Sequence, residues 1–126
     1  MPNESILLVD DLPEVSRLLA RMLVREGYDV VTAASGDEAL DALEQRPRWH
    51  AAVLDRNLPD MDGAALARRL RGRRPKLPIV FATGAATDAG PPIAGTRILG
   101  KPFRRQALLD AIDAVVRSTP IAADAD

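Results

Sequence analysis

Residues Ile6 to Ala33 read ILLVDDLPEVSRLLARMLVREGYDVVTA. Four consecutive apolar residues, Ile6–Val9, open the stretch; the run is too short for a helix and rich in branched side chains, which predicts a buried strand. Val15, Leu18, Leu19, Met22 and Leu23 then recur at i, i+3, i+4, i+7 and i+8, the spacing of one helical face. Arg17, Arg21 and Arg25 fall four apart on the outer face. Gly27 is the stop signal, and Val30–Ala33 is a second short apolar run.

The same unit recurs down the chain. Ala51–Leu54, Ile79–Thr83 and Thr96–Leu99 read as three further buried strands. Ser35 with Glu38 three residues on is a capping box for a helix whose inner face is Ala39, Leu40 and Leu43, with Pro47 as its end. A third helix follows Gly63, turning Leu66, Ala67 and Leu70 inward, and a last one carries Leu108, Leu109, Ile112, Val115 and Val116. Alternating strand and helix predicts a parallel sheet covered on both faces, with right-handed crossovers. At this length the expected fold is α/β, a flavodoxin-like doubly wound five-stranded parallel sheet of order 2-1-3-4-5. Gly84–Gly95, GAATDAGPPIAG, breaks the rhythm, because three Gly, two adjacent Pro and one large apolar residue cannot build an amphipathic helix. The fourth helix is therefore expected to be short or irregular. One domain over 1–126 is expected, with its core at about 5–118 and a frayed tail at 119–126.

Composition removes several functions. The 126 residues carry no cysteine and one histidine, His50, which excludes disulfides, thiolate metal sites, thiol nucleophiles and multi-histidine centres. Seventeen basic against eighteen acidic residues leave a net charge of −1, which argues against a nucleic-acid partner. No apolar run reaches the length of a membrane span, and Met1–Glu4 lacks the order of a signal peptide, so a cytoplasmic protein with no membrane partner is expected. Arg68, Arg69, Arg71, Arg73, Arg74 and Lys76 cluster late in the third helix and read as a solvated helix end. Trp49 and His50 read as packing and rim residues. Phe81 reads as core.

In open α/β sheets ligands bind beyond the carboxyl ends of the strands. Asp10 and Asp11 follow the first strand, Asp55 the third, Thr83 closes the fourth and Lys101 follows the fifth. In the expected order these strands are contiguous, so three carboxylates, a hydroxyl and an ammonium meet in one pocket. An Asp-Asp pair after a strand can also serve as a helix cap. Carboxylates crowded together repel unless a cation joins them, and Mg²⁺ takes one or two carboxylates plus a phosphoryl oxygen. A carboxylate so placed is a competent nucleophile toward phosphorus, with Lys and hydroxyl to hold phosphoryl oxygens.

Four motifs, LLVDD at the first strand, VLDRNLPDMDG around Asp55, FATG at the fourth strand and KPF at Lys101–Phe103, make the chain resemble the receiver domain of two-component response regulators over about Ile6 to Arg117. The resemblance implies that Asp55 is the phosphoacceptor. It implies Asp11 as a direct Mg²⁺ ligand, Asp10 acting mostly through water, and Asn57 as a ligand through its backbone carbonyl. Thr83 would hydrogen-bond the phosphoryl group and Lys101 would pair with it. Pro102 would follow a cis peptide bond. The donor would be a sensor histidine kinase or a histidine phosphotransfer protein, and an unidentified downstream protein would read the state.

Two positions depart from the family pattern. Ile98 stands where the family usually has an aromatic switch residue, and Ala85, two beyond Thr83, offers attacking water no side-chain help. The expected protein is a receiver without an output domain, either stand-alone or from a hybrid kinase, that switches a partner or drains phosphate; a homodimer is compatible with the sequence. The alternatives are a phosphate-independent interaction domain on the same fold and a small aspartate-nucleophile phosphatase. The phosphatase needs a general acid two residues after its nucleophile, where this chain has Asn57.

Overall fold

The computed structural model describes residues 4–84, 93 and 95–118, without the side chains of Thr83 and Ser118. Its elements run β1 (Ser5–Val9), α1 (Pro13–Arg25), β2 (Asp29–Ala33), α2 (Gly36–Leu43), β3 (Ala51–Leu54), α3 (Gly63–Arg73), β4 (Ile79–Thr83), β5 (Thr96–Gly100) and α4 (Arg105–Ser118). All pairings are parallel and the strand order is β2-β1-β3-β4-β5, as the alternation predicts. Four helices lie among the described residues. The expected irregular fourth helix and the frayed tail fall on residues outside them. No helix among the described residues is long and apolar enough to cross a membrane.

Each inner strand is apolar on both faces because each face carries helices. Leu7, Val9, Ala52, Leu54, Ile79 and Phe81 pack with Leu43, Leu66 and Leu70 under α2 and α3. Ile6, Leu8, Ala51, Val53, Val80 and Ala82 pack with Leu19, Leu23, Leu108, Ile112 and Val115 under α1 and α4. β5 departs from the buried strand that its sequence suggests. Among the described residues it pairs only with β4, and Ile98 is 41% exposed.

The helix ends follow local chemistry. Pro13 begins α1, where a missing N–H costs nothing. Gly27, at φ +97°, takes the left-handed turn beyond its end. Ser35 Oγ accepts from the Glu38 N–H at 3.1 Å, and Glu38 Oε1 accepts in return from the Ala34 N–H at 3.1 Å. α2 ends at Leu43, earlier than Pro47 would require. The Leu43 carbonyl is instead taken up by Trp49 Nε1 at 3.0 Å and Arg74 Nη2 at 2.9 Å.

Those contacts correct the reading of a solvated basic helix end for Arg71 and Arg74, whereas Arg68, Arg69, Arg73 and Lys76 are exposed as expected. Arg74 also donates to the Arg46 carbonyl. Arg71 reaches the carbonyls of Leu77 and Gly95, each at 2.9 Å, and burial lowers its pKa. Both guanidiniums serve as internal struts. Trp49 packs on the α2–α3 core as expected. His50 sits at the rim, with Nδ1 2.6 Å from Glu4 Oε2 and its ring against Tyr28.

Candidate functional site

The sheet's register sets the carboxyl ends of β1 and β3 side by side. Val9 stands opposite Leu54, so the next residues, Asp10 and Asp55, emerge together. The Asp55 N–H donates to the Val9 carbonyl at 2.9 Å and the Asp10 N–H to the Ala33 carbonyl at 3.1 Å. Both acids are buried, at 3% and 8% exposure, whereas Asp11 is exposed. One oxygen from each of the three lies within 4.8 Å of the others.

Asp10 does not cap α1. Its Oδ1 accepts from the Leu12 N–H at 2.9 Å in a tight turn, and Leu12 takes the N-cap position without a side-chain bond. Its Oδ2 accepts from Lys101 Nζ at 2.7 Å, and the same ammonium stands 3.6 Å from Asp55 Oδ2. Lys101 is delivered by the edge strand β5, and the peptide bond from Lys101 to Pro102 is cis. Phe103 packs against the α1–α4 core.

The loop after β3 closes on itself. Asp55 Oδ1 accepts from the Asn57 N–H at 3.2 Å, Asn57 bridges to Asp62, and the Gly63 N–H donates to the Arg56 carbonyl at 2.8 Å. A side chain at Gly63 would be driven into the Asp55 carbonyl and the Arg56 Cα, which explains a glycine at that spacing. Arg56 lays its guanidinium 5.4 Å above the Phe81 ring and 3.6 Å from Asp62.

Asp10, Asp11, Asp55 and Lys101 are thus brought together as the sequence predicts. Asn57 enters through its backbone N–H. β4 places Thr83 at the same end of the sheet, opposite Gly100, and its side chain lies outside the described part. Sequence reasoning missed Asp60, whose carboxylate accepts from the N–H groups of Gly36 at 2.8 Å and Asp37 at 2.9 Å. Those two donors lower its pKa. Nothing local could have revealed a contact made across 24 residues of sequence. Arg56 was missed for the same reason.

Three carboxylates with one ammonium among them form an all-oxygen donor set suited to a hard divalent cation. Asp55 has one oxygen on an N–H donor and the other facing the ammonium, so the carboxylate is oriented, while the excess of carboxylates over ammonium calls for a cation before further negative charge is added.

The family described as "Response regulator receiver domain" matches residues 6–113. The transcriptional regulatory protein TcrA of Mycobacterium tuberculosis is 39% identical over 120 residues, covering 92% of this chain and 47% of TcrA. The chain spans about half the length of that relative. A sensor protein structure from Polaromonas superposes with a TM-score of 0.82 at 32% identity, covering 94% of this chain and 99% of that one. The receiver domain of a Pseudomonas aeruginosa sensor histidine kinase, solved with a magnesium ion coordinated in its active-site cleft, superposes with a TM-score of 0.79 at 28% identity, covering 92% and 99%.

Proposed function

Since the chain belongs to the response regulator receiver family of two-component signalling, we propose that it accepts a phosphoryl group on Asp55 from a phosphohistidine and changes partner contacts as a result. The observation that carries this reading is Lys101 Nζ, set between Asp10 and Asp55 with the Asp11 carboxylate alongside.

An Asp55 carboxylate oxygen attacks phosphorus, the phosphorus–nitrogen bond of the donor breaks, and its electron pair stays on the imidazole. The Asn57 N–H and the Lys101 ammonium hold the attacking carboxylate in place. Asp11, Asp55 and the Asn57 backbone carbonyl would hold Mg²⁺, with Asp10 acting through water. When bound, the ion supplies positive charge to the phosphoryl oxygens. Transfer adds negative charge beside Lys101, which exchanges part of its bond to Asp10 for the new oxygens, and the Thr83 hydroxyl joins them. Receiver domains are generally not classical enzymes, and here the chain's chemistry stops at transfer onto itself. A sensor histidine kinase or histidine phosphotransfer protein is the donor, a further protein reads the state, and the setting is the cytoplasm.

Intact-mass spectrometry after incubation with Mg²⁺ and acetyl phosphate tests this, with Asp55→Asn beside the wild type. One added phosphoryl group, absent in the variant and without Mg²⁺, is expected. No adduct, together with no beryllofluoride complex, would instead establish a phosphate-independent domain.

A further inference from the structure

Asp60 and Met61 join the phosphoacceptor loop to a helix that no part of the proposed chemistry uses. We infer that Asp60 is a positioning residue that locks the β3–α3 loop to the first turn of α2, so that occupancy of the acidic site is felt at Gly36 and Asp37.

Two independent contacts carry the inference. The Asp60 carboxylate takes both leading N–H groups of α2, one on each oxygen, at 2.8 and 2.9 Å. A carboxylate held by two N–H donors is a strong, directional anchor, and here it also meets the positive end of the helix. Separately, Gly36 is packed so closely on Met61 that a Cβ there would fall 2.5 Å from its Sδ. Loop tip and helix start therefore touch through a polar clamp and through packing. Leu58 and Met61 both lie on the α2–α3 core, which fixes the tip from below.

The other end of the loop is the site itself. Asp55 Oδ1 is bound to the Asn57 N–H, Asn57 is bridged to Asp62, and Gly63 is bonded to Arg56. An eight-residue loop, Asp55 to Asp62, closed at its base and anchored at its tip has few ways to shift in part. The inference rests on the proposed function at one point: the Asn57 carbonyl is taken as a metal ligand. Any adjustment of that carbonyl must be accommodated by the tip, and so by Asp60 and α2. The route is separate from Thr83 and Ile98.

Coupling of this kind is reciprocal. If the clamp strengthens Mg²⁺ binding, Mg²⁺ must strengthen the clamp by the same factor. Asp60 touches none of the proposed ligands and acts on them through the loop, so its removal falls at the low end of, or below, the roughly ten- to hundredfold loss that follows removal of a ligand's own hydrogen-bond partner. Asp60→Ala is thus expected to weaken Mg²⁺ binding by about three- to tenfold. In the wild type, Mg²⁺ should slow amide exchange at Gly36 and Asp37 by a similar factor.

The experiment is a Mg²⁺ titration of the full chain followed by ¹⁵N–¹H spectra and amide exchange. Wild type, Asp60→Ala and the milder Asp60→Asn, which keeps one acceptor oxygen, are compared. The expected result is that Gly36 and Asp37 track the Asn57 amide with one midpoint in the wild type. In Asp60→Ala that response is lost while Asn57 still titrates, at higher Mg²⁺; Asp60→Asn falls between. A purely structural Asp60 would lower stability with the Mg²⁺ midpoint unchanged, and that outcome overturns the inference. So does an Asn57 response with Gly36 and Asp37 silent in the wild type. Silence at Asn57 and Asp11 in the wild type would overturn the metal-binding part of the proposed function, and the coupling with it. Beryllofluoride binding read in the same spectra tells that failure apart from failure of the clamp alone.

Discussion

Lys101 and Asp10 are 91 residues apart in sequence and 2.7 Å apart in space. The same ammonium stands 3.6 Å from Asp55. One cation thus serves two buried acids. Any new anion on Asp55 competes with Asp10 for it, which makes this ion pair a natural first responder to phosphorylation.

Replacing Lys101 with Met removes that cation while keeping the aliphatic stem. Loss of one oriented charge from a transferring phosphoryl group typically costs on the order of a hundredfold or more in rate. Phosphorylation of Lys101→Met by acetyl phosphate, followed by intact mass over time, should be slower by about that factor. A rate within twofold of wild type would remove Lys101 from the chemistry.

Gly63→Ala tests the close approach of α3 to the end of β3. The added methyl meets backbone atoms of Asp55 and Arg56, which cannot swing aside as a side chain could. Overpacking of this kind costs about 1–3 kcal/mol. Urea unfolding followed by Trp49 fluorescence should show that loss, and phosphorylation should fall with it because Asp55 itself is displaced.

Arg71→Met removes two charged hydrogen bonds, to the carbonyls of Leu77 and Gly95. Hydrogen bonds to charged groups contribute about 1.5–3 kcal/mol each at most, and the exposed part of the side chain moderates this. A destabilisation of about 2 kcal/mol is expected by urea unfolding. Exchange at the start of β5 should quicken, because Gly95 directly precedes Thr96. An Arg71→Lys variant should not restore it, since one ammonium cannot reproduce the planar fork that reaches both carbonyls.

Asp60 gives a pH signature. The N–H donors of Gly36 and Asp37 hold its folded-state pKa below the usual 3.8. A depressed carboxyl pKa stabilises the fold above its unfolded value, and that stability is lost as pH falls through the folded value. Wild type should therefore exceed Asp60→Asn in urea midpoint at pH 7. The gap should narrow below pH 3.8. A gap unchanged between pH 7 and pH 3 would contradict the assignment.

The strands, their order and the meeting of Asp10, Asp11, Asp55 and Lys101 were legible because short apolar runs and strand ends obey local rules. Gly27 and Ser35 were legible for the same reason. What could not be read depends on where helices come to rest. Arg74 looks like surface charge until α2 ends beside it with the Leu43 carbonyl to offer, and Arg71 until Leu77 and Gly95 turn their carbonyls toward it. Asp60 looks like one more loop acid until α2 presents two N–H groups. The half-open β5 was mistaken for a buried strand because edge position is a property of the sheet, not of the sequence Thr96–Leu99.

Asp10 and Asp55 directly follow β1 and β3 and are tied to the end of the sheet by N–H bonds to Ala33 and Val9. Amide protection is greatest where opening requires the whole fold to come apart. The two buried acids, one residue beyond β1 and β3, are consequently expected to open with the central strands. Exposed helix ends away from the β3–α3 loop and the start of α2 are then expected to fray or meet a partner while Asp55 stays in place. Under the proposed function, the acceptor would outlast the contacts that report on it.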